Sequence, residues 1–73
     1  RSVAEHAICA SKDLQFLDNE LGTAYSAALK AGATSVAAQR AWLQYRDTQC
    51  EAVHAEECVR TLMWNRFDEL ASK

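Results

Sequence analysis

Residues 14–29, LQFLDNELGTAYSAAL, set Leu14, Leu17, Leu21, Tyr25, Ala28 and Leu29 at steps of three and four. That spacing puts them on one face of an α-helix and predicts an amphipathic helix with a single apolar stripe turned to a core. Ser11 stands ahead of the stripe as an N-cap. Asp13 follows it, an acid suited to the positive end of the helix dipole. Gly22 falls inside the helix at a cost of about 1 kcal/mol relative to alanine. Gly32 is placed to end the helix in the left-handed conformation that glycine adopts without a Cβ clash.

The same signals recur on both sides of this helix. Ser2-Val3-Ala4-Glu5 reads as a capping box opening a short helix through about Cys9. Thr34 or Ser35 caps a third helix running to about Cys50, with Val36, Leu43 and Cys50 in one line and Gln39, Trp42 and Arg46 beside it. A last helix begins near Glu56 or Glu57 and carries Val59, Leu62, Met63, Phe67 and Leu70, with Arg66 on the same side. The absence of proline and the presence of only two glycines favour helix over sheet throughout. Short connections predict antiparallel neighbours. The expected fold is all-α: a small antiparallel bundle of three to four helices forming one domain over residues 1–73. A core of that size supplies only about 3–5 kcal/mol of net stability, so a staple is expected.

Composition excludes several classes. A net charge of −2 with scattered Lys and Arg offers no footprint for nucleic acid. No apolar run reaches the roughly 18 residues that a membrane span needs, so no membrane insertion is expected. No Ser-His-Asp order and no glycine-rich phosphate loop stands out, so neither an enzyme nor a cofactor is expected.

Three cysteines, Cys9, Cys50 and Cys58, are many for 73 residues. In an exported protein they suggest one disulfide and a further cysteine; in a cytosolic one, metal binding or simple burial. In an unbroken helix Cys50 and Cys58 stand about 12 Å apart, whereas a disulfide needs Cα atoms within about 7 Å. The intervening EAVHAEE (51–57) has neither Gly nor Pro and by propensity stays helical. Spacing therefore leaves pairing open. Cys50, His54 and Cys58 also stack on one helical face, with His6 and Cys9 as further donors that zinc accepts. Neither a tight Cys-x-x-Cys nor a His pair is present, and no metal is expected.

The order of residues then resembles a known family. EHAIC and LQFLDNELGTAY are followed by AAQRAWLQYRDTQC and CVRTLMWNRFDEL. The matching positions are Ile8 and Cys9; Leu17, Asp18, Leu21 and Tyr25; Gln39, Trp42, Arg46, Asp47 and Cys50; and Cys58, Arg66 and Leu70. The chain is similar to the LprI-type lysozyme-inhibitor family over nearly its whole length, most specifically in the Gln-Trp-Arg-Asp-Cys segment. The resemblance implies an exported bacterial protein, periplasmic or secreted. It also implies a disulfide between Cys50 and Cys58 that closes the loop before the last helix and breaks the helix there. A further family cysteine lies in a Phe-Asp-Cys-like stretch ahead of Ile8-Cys9. This sequence lacks that stretch, which implies a trimmed N-terminal part. Two departures stand out: the 51–57 loop lacks the usual Gly or Asp, and Met63 replaces a common aromatic, which reads as a core variant.

What the resemblance implies about function is a protein-binding module, a lysozyme inhibitor that docks on the enzyme. Glu51, Glu56 and Glu57 crowd one loop and suit a cationic partner. With His54 and an exposed Trp64 they are the expected contact residues. The Cys50–Cys58 loop and the Lys30–Ser35 turn are the expected tips. Asp18 and Arg46 are expected to form an interhelical ion pair joined by Gln39, with Trp42, Tyr25 and Phe67 as core aromatics. The alternative is a structural or assembly domain of a larger envelope protein, without action on lysozyme.

Overall fold

The computed structural model describes residues 2–51 and 54–72. Four helices follow one another: α1 (Val3–Ala10), α2 (Lys12–Lys30), α3 (Val36–Gln49) and α4 (Ala55–Ala71), with no strand among the described residues. Three of them start on the serines read from the sequence. The Glu5 N–H donates to Ser2 Oγ at 3.1 Å and the Ser2 N–H donates to Glu5 Oε1 at 3.2 Å, completing the capping box. The Leu14 N–H donates to Ser11 Oγ and the Ala38 N–H to Ser35 Oγ, so Ser35 rather than Thr34 caps α3. The Gln15 amide adds a bond of 2.9 Å to the Cys9 carbonyl across the α1–α2 joint.

α2 ends as its glycine demands. Gly32 has φ 76°, and the Ala33 N–H reaches back to the Ala28 carbonyl while the Gly32 N–H reaches Leu29. This is a Schellman closure, which satisfies carbonyls that the helix end would otherwise orphan. Gly22, by contrast, is exposed within α2, and a Cβ built there meets nothing within 4 Å. Gly22→Ala is therefore expected to stabilise the protein by about 1 kcal/mol, read as a raised urea midpoint; an unchanged or lowered midpoint would contradict this.

The core forms where the stripe of α2 meets that of α4. Leu14, Leu17, Leu21 and Ala28 pack with Val59, Met63 and Leu70, joined by Ala4 from α1 and by Cys50. Met63 is fully buried, as a core variant should be. The α2–α4 interface is the most extensive, α1 lies across both helices, and α2 and α3 touch least although they are consecutive. α2 and α4 run in the same direction: Asp13 and Phe16 share a groove with Arg60 and Trp64, and Ala28 and Ala31 share one with Leu70 and Ala71. α3 returns in the opposite direction, its start bonded to α4 near the C-terminus through Gln39 and Arg66, and its end joined to the beginning of α4 through Cys50.

Several expectations are corrected. Val36 is exposed, and Arg46 is the one fully buried side chain within α3. Trp42, Tyr25 and Phe67 are half-buried and pack against the edge of the core rather than inside it. α4 begins at Ala55, so Glu56 and Glu57 belong to its first turn and not to the preceding loop.

Candidate functional site

The chain around Cys50 and Cys58 resolves the conflict between helix propensity and pairing. Cys50 leaves the helical region at φ −106° and ψ 51°, with its N–H still bonded to the Arg46 carbonyl. His54 then takes the left-handed conformation, φ 69° and ψ 29°, and α4 opens at the next residue without a side-chain cap. A residue with a Cβ is held there at a cost of roughly 1–2 kcal/mol. The turn brings the two Cα atoms to 5.5 Å and the sulfurs are bonded. Cys50 is buried and anchors the bridge in the core, while Cys58 is half-buried. With both sulfurs in a disulfide, the Cys50-His54-Cys58 metal arrangement is not available. The loop at residues 52 and 53 lies outside the described residues.

Glu51, His54, Glu56 and Glu57 are all exposed around this bridge. The first-turn position of Glu56 and Glu57 suits them to the positive end of α4, worth about 0.3–1 kcal/mol each. Glu56 also accepts from Arg60 Nη2 at 3.4 Å, an exposed i,i+4 pair of small energy. Beside the bridge runs an open groove of about 420 Å³ between the end of α3 and the start of α4, lined by Tyr45, Gln49, His54, Glu57, Cys58, Thr61 and Leu62. Tyr45, 52% exposed, had no place in the apolar pattern of its helix; its exposure beside Glu57 appears only once α3 and α4 are packed.

Trp64 is 49% exposed, as expected, and lies two turns, about 10 Å, beyond Glu57 on α4. It stacks edge-on against Phe67 with ring centroids 5.7 Å apart. It also lines a second shallow groove with Phe16, Leu17, Asp13 and Arg60, apart from the groove at the bridge. The Lys30–Ser35 turn is at the other end of α3 from Cys50, about 20 Å away at 1.5 Å per residue. The two expected tips therefore lie at opposite ends of α3, and the acidic residues gather at the bridge.

The expected network is wired differently. Arg46, 5% exposed, donates from Nε and Nη2 to Asp47 Oδ1 at 3.0 and 2.9 Å and lies over the Trp42 ring at 5.6 Å. The carboxylate and the ring face together compensate a guanidinium taken out of water. Asp18 is exposed and shares a shallow groove with Arg46 without forming the expected ion pair. Gln39 belongs to Arg66 instead: Arg66 donates to Gln39 Oε1 from Nε and Nη2 at 3.1 and 3.0 Å, and Nη2 also donates to Thr34 Oγ1 at 3.2 Å. Arg66 thus ties the start of α3 to α4, opposite the disulfide that ties its end. The sequence signal was its position on the apolar side of α4.

No helix among the described residues is long and apolar enough to cross a membrane. No curated protein and no solved structure matches the chain significantly. A family model described as lysozyme inhibitor LprI matches residues 1–70. With the match covering three helices, all but the last residue of the fourth and both members of the bridge, the chain belongs to the lysozyme inhibitor LprI family.

Proposed function

We propose that this protein is an exported module that inhibits lysozyme by docking its disulfide-tied acidic end on the enzyme. The observation that carries this reading is the gathering of exposed Glu51, Glu56 and Glu57 around the Cys50–Cys58 bridge, in a chain of an inhibitor family. Lysozyme is a cationic protein, so an acidic end accelerates the encounter and orients it. A bridge that holds the end in one shape reduces the ordering cost of binding. A disulfide of this kind persists in an oxidising compartment, which fits export to the periplasm or beyond. Nothing in this mechanism calls for catalysis: the inhibitor occupies the enzyme and is not transformed.

The experiment is a titration of the triple variant Glu51→Gln/Glu56→Gln/Glu57→Gln against lysozyme at low and physiological salt. Affinity is expected to fall by about tenfold or more at low salt, with a flatter salt dependence, because the lost attraction is screened by ions. Wild-type affinity and salt slope in the triple variant would remove this end from the mechanism.

A second reading, an assembly domain of a larger envelope protein, draws on Phe16 and Trp64. Both aromatic rings are exposed, on two different helices, and line one groove that the acidic end does not use. Trp64→Ala separates the two. Lysozyme binding that survives Trp64→Ala but fails in the charge variant supports the first reading, and the reverse pattern supports a contact centred on the aromatics.

A further inference from the structure

We propose that the groove beside the disulfide receives an arginine side chain of the protein partner. This rests on the docking reading above and specifies its anchor. Three features of the groove select a guanidinium. First, its walls are mixed: Leu62 and the Tyr45 ring supply apolar surface, while Glu57 supplies a carboxylate. Second, Gln49 and Thr61 on the same walls add oxygen acceptors, which a guanidinium with five N–H donors can use at once. Third, the charged side chain lining the groove is acidic, and its position in the first turn of α4 offsets the positive end of that helix. Glu51 and Glu56 are exposed between the two bridged cysteines, and the groove abuts the C-terminal end of α3, the negative end of its dipole.

Chemistry then separates arginine from the other candidates. A carboxylate or phosphate ligand meets Glu57 and is repelled. A purely apolar side chain leaves Glu57 desolvated without a partner, which is costly. Lysine supplies charge but not the flat face that stacks on an aromatic ring, nor the fork that pairs with a carboxylate through two parallel bonds. Arginine uses the ring and the carboxylate together. Tyr45 is half exposed and makes no ring contact of its own among those the structure shows, whereas Trp42 is already covered by Arg46 and Trp64 is stacked on Phe67. Tyr45 is the one aromatic ring lining this groove, and it is open to a cation.

The test uses the oxidised chain with isotope labels and two small probes, N-acetyl-arginine methylamide and its neutral isostere N-acetyl-citrulline methylamide. The arginine probe is expected to shift the Tyr45 ring and the Gln49, Glu57 and Thr61 resonances, with the citrulline probe binding about tenfold more weakly, a difference of about 1.4 kcal/mol. Glu57→Gln should abolish the preference for arginine, and Tyr45→Ala should remove the shifts, while Tyr45→Phe retains them and shows that the ring matters rather than its hydroxyl. Shifts elsewhere only, or equal response to both probes, would overturn the proposal. The same variants are then titrated with lysozyme. If wild type binds lysozyme and Tyr45→Ala and Glu57→Gln bind equally well, the arginine anchor is wrong and the inhibitor reading stands. If the arginine probe selects the groove but wild type ignores lysozyme, the groove stands and its partner is another arginine-bearing protein.

Discussion

Leu14→Ala is expected to cost about 3 kcal/mol, within the range of about 2–5 measured for leucine-to-alanine changes in well-packed cores. Leu14 is 0% exposed and among the largest fully buried side chains in the protein. It sits where α2 begins its contact with α4, inside a cluster shared with α1. A domain of this length has about 3–5 kcal/mol of net stability to lose, so the variant should be largely unfolded at 37 °C. Phe16→Ala supplies the contrast. Phe16 is larger, lies two residues on, and is 63% exposed; its loss should stay within about 0.5 kcal/mol. Urea unfolding followed by far-UV circular dichroism reads both. A Leu14→Ala loss below about 1 kcal/mol, or a larger loss for Phe16→Ala, would contradict the assigned core.

Removing the bridge is the second large effect. Cys50→Ala/Cys58→Ala opens a short loop, and in the chain-entropy model such a loop contributes about 2–3 kcal/mol. For a domain of this size 1 kcal/mol moves Tm by roughly 4–8 °C, which sets the expected drop at about 10–20 °C. Reduction of the wild type by excess thiol should reproduce the drop, because the effect lies in the bond and not in the alanines. The consequence reaches function. Without the bond, the constraint that separates α3 from α4 is lost, and the helix propensity of the intervening sequence returns. Glu51 would then move away from Glu56 and Glu57, and lysozyme binding should weaken beyond what the stability loss explains. A Tm drop of under about 3 °C would mean that packing alone shapes this junction.

Where the structure agrees with the sequence, local chemistry decides. Ser2 with Glu5, Ser11 and Ser35 each cap a helix because a short side-chain oxygen three residues ahead of an N–H can hardly do otherwise. Gly32 ends α2 because its conformation is open to glycine and resisted by its neighbours. The stripe of α2 is buried at Leu14, Leu17, Leu21 and Ala28, as its period requires, although Leu29 at its edge is exposed. Where the two part, partners remote in sequence decide. The segment after Cys50 contains no helix breaker; the break is imposed by a bond to Cys58 and a left-handed His54. The resemblance to a family pointed to that bond, and residue spacing did not. Arg46 could have reached Asp18 on another helix but finds Asp47 beside it, and Gln39 is drawn to Arg66 by the return of α3 along α4. Ala4 is fully buried where α1 meets its neighbours, and a small residue gives no sign of that in a sequence. The acidic end was legible as a cluster of Glu51, Glu56 and Glu57. The groove beside it was not, since Tyr45 and Glu57 meet only when α3 and α4 are in place.

The most direct test of the central claim is to titrate the oxidised wild-type chain into a lysozyme assay of cell-wall lysis while following complex formation by calorimetry. The account predicts saturable loss of lytic activity with a one-to-one stoichiometry, an affinity that falls as salt rises, and protection of the groove beside the Cys50–Cys58 bridge in the complex. Full lytic activity and no heat of binding at any chain concentration would contradict it.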